Sequence, residues 1–263
     1  LSRPDAELPF DLPRIQANAL GRNVEYHPVI DSTNDEAKRR VAAATCPLPL
    51  LVLASRQTAG RGRGRNRWWS DEGCLMFSLA LAAEAFPDDR QHAALASLAV
   101  AIAVVDAVGP RLTGQPLGIH WPNDVVVGPR KLAGILIEVA AGRRHVIGIG
   151  LNVNNQFEGA PDDVRARAVS LSQLGSPASS PTAVLVDLLV ALERRLAELV
   201  HSPATISNRA SELCLQRGQE LTIQQGQTRT AGRCLGIAPD GGLILETPTG
   251  QRRLASGITC RDD

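Results

Sequence analysis

Four short apolar segments stand almost end to end between residues 117 and 153, and this crowding constrains the fold more than any other feature. Leu117–Trp121, Asp124–Val127, Leu132–Ala140 and His145–Val153 all read as strands. Gly128-Pro129 and Ala141-Gly142 are turn and hairpin signals between them. A parallel neighbour needs a crossover of a dozen residues or more, so these strands must pair mostly antiparallel.

The rest of the chain supplies partners for that sheet. Val24–Ile30, Leu50–Ser55 and Cys74–Leu81 read as further strands. Ser32 or Thr33 caps a helix running to about Ala44, and Thr33 with Glu36 has capping-box spacing. Gln91–Val108 reads as a core helix. Its apolar run, Ala93–Val108, is too short and Ala-rich for a membrane span. Residues 154–180 are polar and rich in Gly, Pro and Ser, which predicts a long loop. Pro181 opens a helix to about Val200, with Leu185, Leu188, Leu189, Leu192 and Leu196 at helical spacing. Another helix covers Ala204–Leu215. From Gly218 the pattern changes to short strands at Glu220–Gln224, Arg229–Ile237, Gly242–Glu246 and Arg252–Ala255, with a tight turn at Asp240-Gly241-Gly242. The expected fold class is α+β: a mixed, largely antiparallel sheet with packed helices, followed by a small SH3-like β-barrel. The expected division is a lead at 1–22, a main domain at 23–216 and the barrel at 217–263.

Bulk numbers exclude several classes. With 263 residues, 44% hydrophobic and 21% charged, the chain is an ordinary globular protein. A net charge of +1 argues against nucleic acid as partner, so any basic patch must be local. The five cysteines are scattered without CxxC spacing, which argues against zinc and disulfides and for a reducing cytoplasm. No secretory leader or membrane segment is read.

Two local features carry chemistry. Gly60–Trp69 reads GRGRGRNRWW. Its glycines allow close backbone approach to a ligand, and Arg61, Arg63, Arg65 and Arg67 offer forks suited to phosphate or carboxylate. Alone, the run also suits an RNA-binding tail. The second feature is the scarcity of lysine: Lys38 and Lys131 are the only two. Lys38, beside Arg39 and Arg40, reads as a solvated helix charge. Lys131 opens the apolar run RKLAGILIEV, where a compact point charge has a use that arginine cannot copy.

Four motifs stand in order: DSTNDEA at 31–37, RQTAGRGRGRNRWWS at 56–70, WPND at 121–124 with RKLAGILIEV at 130–139, and GIGLNVN at 148–154. In this order they resemble the biotin protein ligase family over about residues 24–263, in its short form without an N-terminal DNA-binding domain. About two dozen residues precede the first motif, too few for a winged helix-turn-helix, so no repressor role is expected. The resemblance implies an enzyme that joins the biotin carboxylate to the α-phosphate of ATP, releasing pyrophosphate. It then transfers biotin from biotinyl-5′-AMP to a lysine of a biotin carboxyl carrier protein domain of a carboxylase. Biotin and ATP are the implied ligands, with Mg2+ arriving on ATP and no metal held by protein ligands alone. A monomer or homodimer is expected.

The resemblance also implies roles. Lys131, Arg63 and Arg61 would be catalytic. Ser32, Thr33, Asn34, Gln57, Gly60, Arg61, Gly62, Arg63, Lys131 and Gly134 would form the biotin site. Arg63, Arg65, Arg67, Trp68, Asn123, Asp124 and Asn152 would form the adenylate site, with Trp68 stacked on adenine. For Ser32 and Thr33 plain helix capping stays open beside this role, and for Asn123 and Asp124 a plain turn. Two positions depart from the family pattern: His120 stands where lysine is common, and Arg65-Asn66 replaces glycine–arginine. The alternatives are a lipoate or octanoate ligase of the same superfamily, or a nucleic-acid-binding protein using the Gly/Arg loop.

Overall fold

The computed structural model describes residues 9–86, 93–176 and 179–260. β1 (Asn23–Ile30), β2 (Leu50–Gln57), β3 (Cys74–Leu81), β4 (Leu117–His120), β5 (Asp124–Val127), β6 (Arg130–Val139) and β7 (His145–Asn152) form one sheet in the order β1-β2-β3-β7-β6-β5-β4. β4 to β7 meander antiparallel, as their short connections demand. β1 and β2 pair in parallel, because α2 (Thr33–Val41) crosses between them.

Helices cover both faces unequally. α3 (Ala93–Val108) packs against α5 (Pro181–His201), α6 (Pro203–Leu213) and strands β4 to β6. It is apolar on nearly every face, with Asp106 near its end paired to Arg194 and Arg195 of α5, the pattern of a core helix. The stretch Ala94–Arg111 is long and apolar enough to cross a membrane, yet here most of it lies inside the core. On the other face α2 sets Ala37 and Val41 against Leu50, Val52, Ala80 and Val146. The described part of the lead is packed on the domain. α1 (Leu12–Gln16) is capped by Asp11, and Phe10 and Ile15 join the main core.

The C-terminal strands β8 (Glu220–Gln225), β9 (Thr228–Ile237), β10 (Leu243–Thr247), β11 (Gly250–Leu254) and β12 (Ile258–Cys260) form a second, antiparallel sheet in the order β11-β10-β9-β8-β12. Its inner residues Leu221, Ile223, Leu243 and Leu245 belong to the same apolar cluster as the large sheet.

Three expectations are corrected. The segment 154–180 is not plain loop: it holds α4 (Asp162–Arg167). Asp162 and Asp163 sit in its first turn and Arg165 and Arg167 in its last, the charge order a helix dipole favours. β12 is three residues long, too short to show alternation. α6 stops at Leu213, because the amide of Leu215 donates to the Ile119 carbonyl of β4.

Candidate active site

On the α2 side of β6 and β7 three glycines strip part of the sheet of side chains. Gly134 and Gly150 are cross-strand partners, and Gly148 lies two residues earlier on the same face. Trp68 lies across the bared backbone. A Cβ added at Gly150 would stand 2.3 Å from its Cε2, and one at Gly134 would stand 3.2 Å from its Cζ3. Only glycine permits that approach. Above this floor opens a cleft of about 2150 Å3, well beyond the roughly 300–1,000 Å3 of a single drug-sized pocket. One wall comes from the large sheet and α2. The opposite wall comes from the small sheet, through Gln216, Glu220, Thr222, Gly257 and Ile258.

The α2 wall is neutral and tightly bonded. Ser32 is the helix cap, its hydroxyl accepting from the Asp35 amide. Thr33 and Glu36 form no capping box: Glu36 pairs with Arg39 and Arg40. The Thr33 amide and hydroxyl donate to Gln57 Oε1 at 2.8 and 3.2 Å. Ser78 Oγ contacts both Thr33 Oγ1 and Asn34 Oδ1. Asn34 is buried, its oxygen pressed onto Gly148. Each polar group on this wall is thus fixed by another before any ligand arrives.

The other side of the floor is charged. Lys131 Nζ is 2.7 Å from an Asp124 carboxylate oxygen and 5.8 Å from the Trp68 ring centroid. Asn123 donates its amide to the Ile135 carbonyl at 2.7 Å, which pins the turn before β5. Trp121 ties the same turn to the second sheet: its amide donates to Gln216 and its indole to the Gly241 carbonyl. Arg63 donates to the Gly257 carbonyl at 3.0 Å. Burial pushes its guanidinium pKa down, with the Asp124 charge acting against that. The Trp68 indole N–H is buried without a hydrogen-bond partner among the described residues.

The Gly/Arg stretch is itself a small hairpin. Trp68 N donates to Gly60 O, and Gly62 N donates to Asn66 O, with a bridge between Arg61 and Arg67. Trp69 turns away to pack on Phe157, ring centroids 5.7 Å apart. Arg61 turns away as well. Its guanidinium meets Asp35 at 2.7 Å and both oxygens of Glu138 at 3.0 Å. Burial works against its charge, but Glu138 and Asp35 outweigh this and raise its pKa. Lys38 is no free surface charge: it pairs with Asp35 at 2.8 Å and Glu138 at 3.1 Å.

Most of the expected residues meet in this cleft. Ser32, Thr33, Asn34 and Gln57 line it, as do Gly60, Gly62, Arg63, Arg67 and Trp68, and also Asn123, Asp124, Lys131 and Gly134. Three positions stand apart from the rest. Arg61 is among the lining residues, with its guanidinium paired to Asp35 and Glu138. Arg65 is exposed and outside the lining. Asn152, two residues on from Gly150 along β7, is buried at the end of the floor, where its amide reaches the Lys131 carbonyl at 3.4 Å and its oxygen accepts from Asn155. It supports the Lys131 backbone. Sequence reasoning missed Gly148 and Gly150 as floor residues, although the Gly-x-Gly of β7 opposite Gly134 was a usable signal. It also missed Asp163 and Arg167 of α4 and the whole second-sheet wall, for which no motif exists.

The chain was compared with known proteins. Residues 26–154 match the model of the biotin/lipoate A/B protein ligase family. A biotin–[acetyl-CoA-carboxylase] ligase of Paracoccus denitrificans is 31% identical over 231 residues, covering 84% of this chain and 93% of the relative. The chain belongs to the biotin/lipoate A/B protein ligase family. Within that family, the bifunctional ligase/repressor BirA of Bacillus subtilis strain 168 is 31% identical over 257 residues, covering 96% of this chain and 77% of the relative. Among solved structures of biotin protein ligases, that from Aquifex aeolicus in complex with biotin and ATP superposes with a TM-score of 0.80. It is 27% identical and covers 91% of this chain and 98% of that one.

Proposed function

We propose that this family member is an ATP-dependent biotin protein ligase. A biotin carboxylate oxygen attacks the α-phosphorus of ATP, the bond to the β-phosphate oxygen breaks, and pyrophosphate leaves. The side-chain amine of a carrier lysine then attacks the acyl carbon of biotinyl-5′-AMP, and AMP leaves. The observation that carries this reading is the position of Lys131, on the strand that bears floor residue Gly134. It stands between a fixed neutral wall and a cationic one.

The neutral wall suits the ureido ring of biotin. With Gln57 Oε1 taken up by Thr33, the Gln57 amide hydrogens and the Ser32 hydroxyl are the groups left to meet it. Lys131, oriented by Asp124, brings an ammonium to the junction of carboxylate and phosphate, where two anions must approach. Arg63 and Arg67 serve the phosphates. The free face of Trp68 offers adenine a flat partner, and its bottom face rests on Gly150. Mg2+ comes in with ATP and would neutralise phosphate charge. Magnesium sites of this kind use one or two carboxylates plus phosphate oxygens, and Asp124 is the carboxylate placed for that. Among the described residues, the group able to hold an ion alone, Glu25, His27 and Glu36, lies outside the cleft.

The acceptor is proposed to be a biotin carboxyl carrier domain of a biotin-dependent carboxylase. The five cysteines are free thiols, which suits the cytoplasm. The test is to incubate the protein with biotin, Mg·ATP and an apo carrier domain and read the carrier's intact mass, with lipoate replacing biotin in a parallel tube. One ATP-dependent biotinyl group supports the reading. Lipoyl gain without biotinyl gain moves it to the lipoate branch of the family.

A further inference from the structure

Three side chains from two elements converge on the Glu138 carboxylate. Asn34 and Lys38 reach it from α2 at 2.9 and 3.1 Å. Arg61 reaches it from the Gly/Arg hairpin with both guanidinium nitrogens, each at 3.0 Å. The cluster is partly sheltered: the Glu138 side chain is 21% exposed and that of Arg61 38%. Glu138 does not line the cleft, so it touches no ligand there.

We propose that Glu138 is the positioning residue that latches the Gly/Arg hairpin over the active site, through the fork of Arg61. This rests on the ligase reading of the cleft. Arg61 is flanked by Gly60 and Gly62, which bring no side chain of their own to anchor the strand. Gly60 O in turn accepts from the Trp68 amide. Holding the Arg61 guanidinium therefore holds the root of the hairpin, and with it the indole on the glycine floor. Asn34 and Lys38 fix the carboxylate plane that the fork must match. A partly exposed ion pair is weak and salt-screened. That suits a latch which must release to admit substrates and to present the acyl group to a carrier.

Tryptic cleavage at the loop arginines of the substrate-free full chain, followed by mass, reads the latch directly. Glu138→Gln is expected to speed cleavage up to about fivefold, the effect of losing one such pair. Arg61→Ala, a loop change that leaves the core untouched, is expected to do the same at the other loop arginines. The double variant is expected to open no further than Arg61→Ala, which also loses the Asp35 contact. Glu36→Gln, which loses pairs only with Arg39 and Arg40, is expected to cleave like the parent. Parent-like cleavage of Glu138→Gln, or additive opening in the double variant, overturns the proposal. In the ligase assay, Glu138→Gln should raise KM for biotin and release more free biotinyl-AMP while kcat for adenylation holds. A fall in kcat at unchanged KM overturns it too. If the parent fails to biotinylate a carrier, the functional reading falls, while the cleavage result still decides the latch.

Discussion

The two sides of the glycine floor solve opposite problems. The α2 side is a closed circuit of neutral groups, in which Ser32, Thr33, Gln57 and Ser78 are each held by a neighbour. The far side gathers the charges of Arg63, Arg67 and Lys131, with Lys131 paired to Asp124 and Arg63 bonded to the Gly257 carbonyl. The difference teaches how one cleft can accept a small neutral ring and a polyanion together. Recognition of the ring needs groups whose direction is set beforehand. Gathering of anions needs positive charge massed where they meet.

Lys131 tests that contrast most severely, because it joins the two sides. Lys131→Ala should slow adenylate formation by roughly 10²–10³-fold, the loss typical of one electrostatic donor, with circular dichroism unchanged. Lys131→Arg should not restore it, since a fork is not a point charge. Normal pyrophosphate release from Lys131→Ala would dissolve the contrast. Gly150→Val attacks the floor beneath both sides. Its first added carbon meets the Trp68 ring at 2.3 Å, and displacement on that scale should cost roughly a hundredfold in kcat/KM. Trp68→Ala sharpens the division: KM for ATP should rise about tenfold, as for a lost base-stacking partner, with KM for biotin less affected. A larger rise for biotin would assign the indole to the neutral side.

Acid gives the smallest effect. Burial raises the Glu138 pKa, but hydrogen bonds from Asn34 and Lys38 and the charges of Lys38 and Arg61 outweigh it, so the net shift is downward. Asp35 is lowered in the same way by Lys38 and Arg61 against burial. A lowered carboxylate stabilises the folded arrangement above its ordinary value and loses that contribution as pH falls through the lowered one. Hydrogen exchange at the amides of residues 60–68, corrected for intrinsic rates, should therefore stay slow down to about pH 4 and quicken only below it. Quickening near neutrality would place another group in control.

The sheet was readable because its signals are local. The short turns between residues 117 and 153 allow only antiparallel neighbours, and β3 and β5 fall at the expected residues. The apolar run of α3 likewise declared its burial. The parallel pairing of β1 and β2 was not read, since it depends on where α2 lies. In the site, glycine and lysine were readable because each supplies something no other residue can. The pairing of Arg61 was not readable, because its guanidinium serves whichever anion is nearest. That anion is Glu138, 77 residues away in sequence. The second-sheet wall was invisible because its cleft residues are ordinary turn and edge residues, brought there by the contacts of Trp121 with Gln216 and Gly241.

The two lysines have a final consequence. The proposed product is an acyl anhydride that reacts with unprotonated amines. Yet Lys131 is held against Asp124, and Lys38 against Asp35 and Glu138. An amine engaged by a carboxylate is a poor nucleophile. With no other lysine side chain in the sequence, the enzyme gives its own product almost nothing to label, so activated biotin that escapes the cleft leaves its maker unmarked.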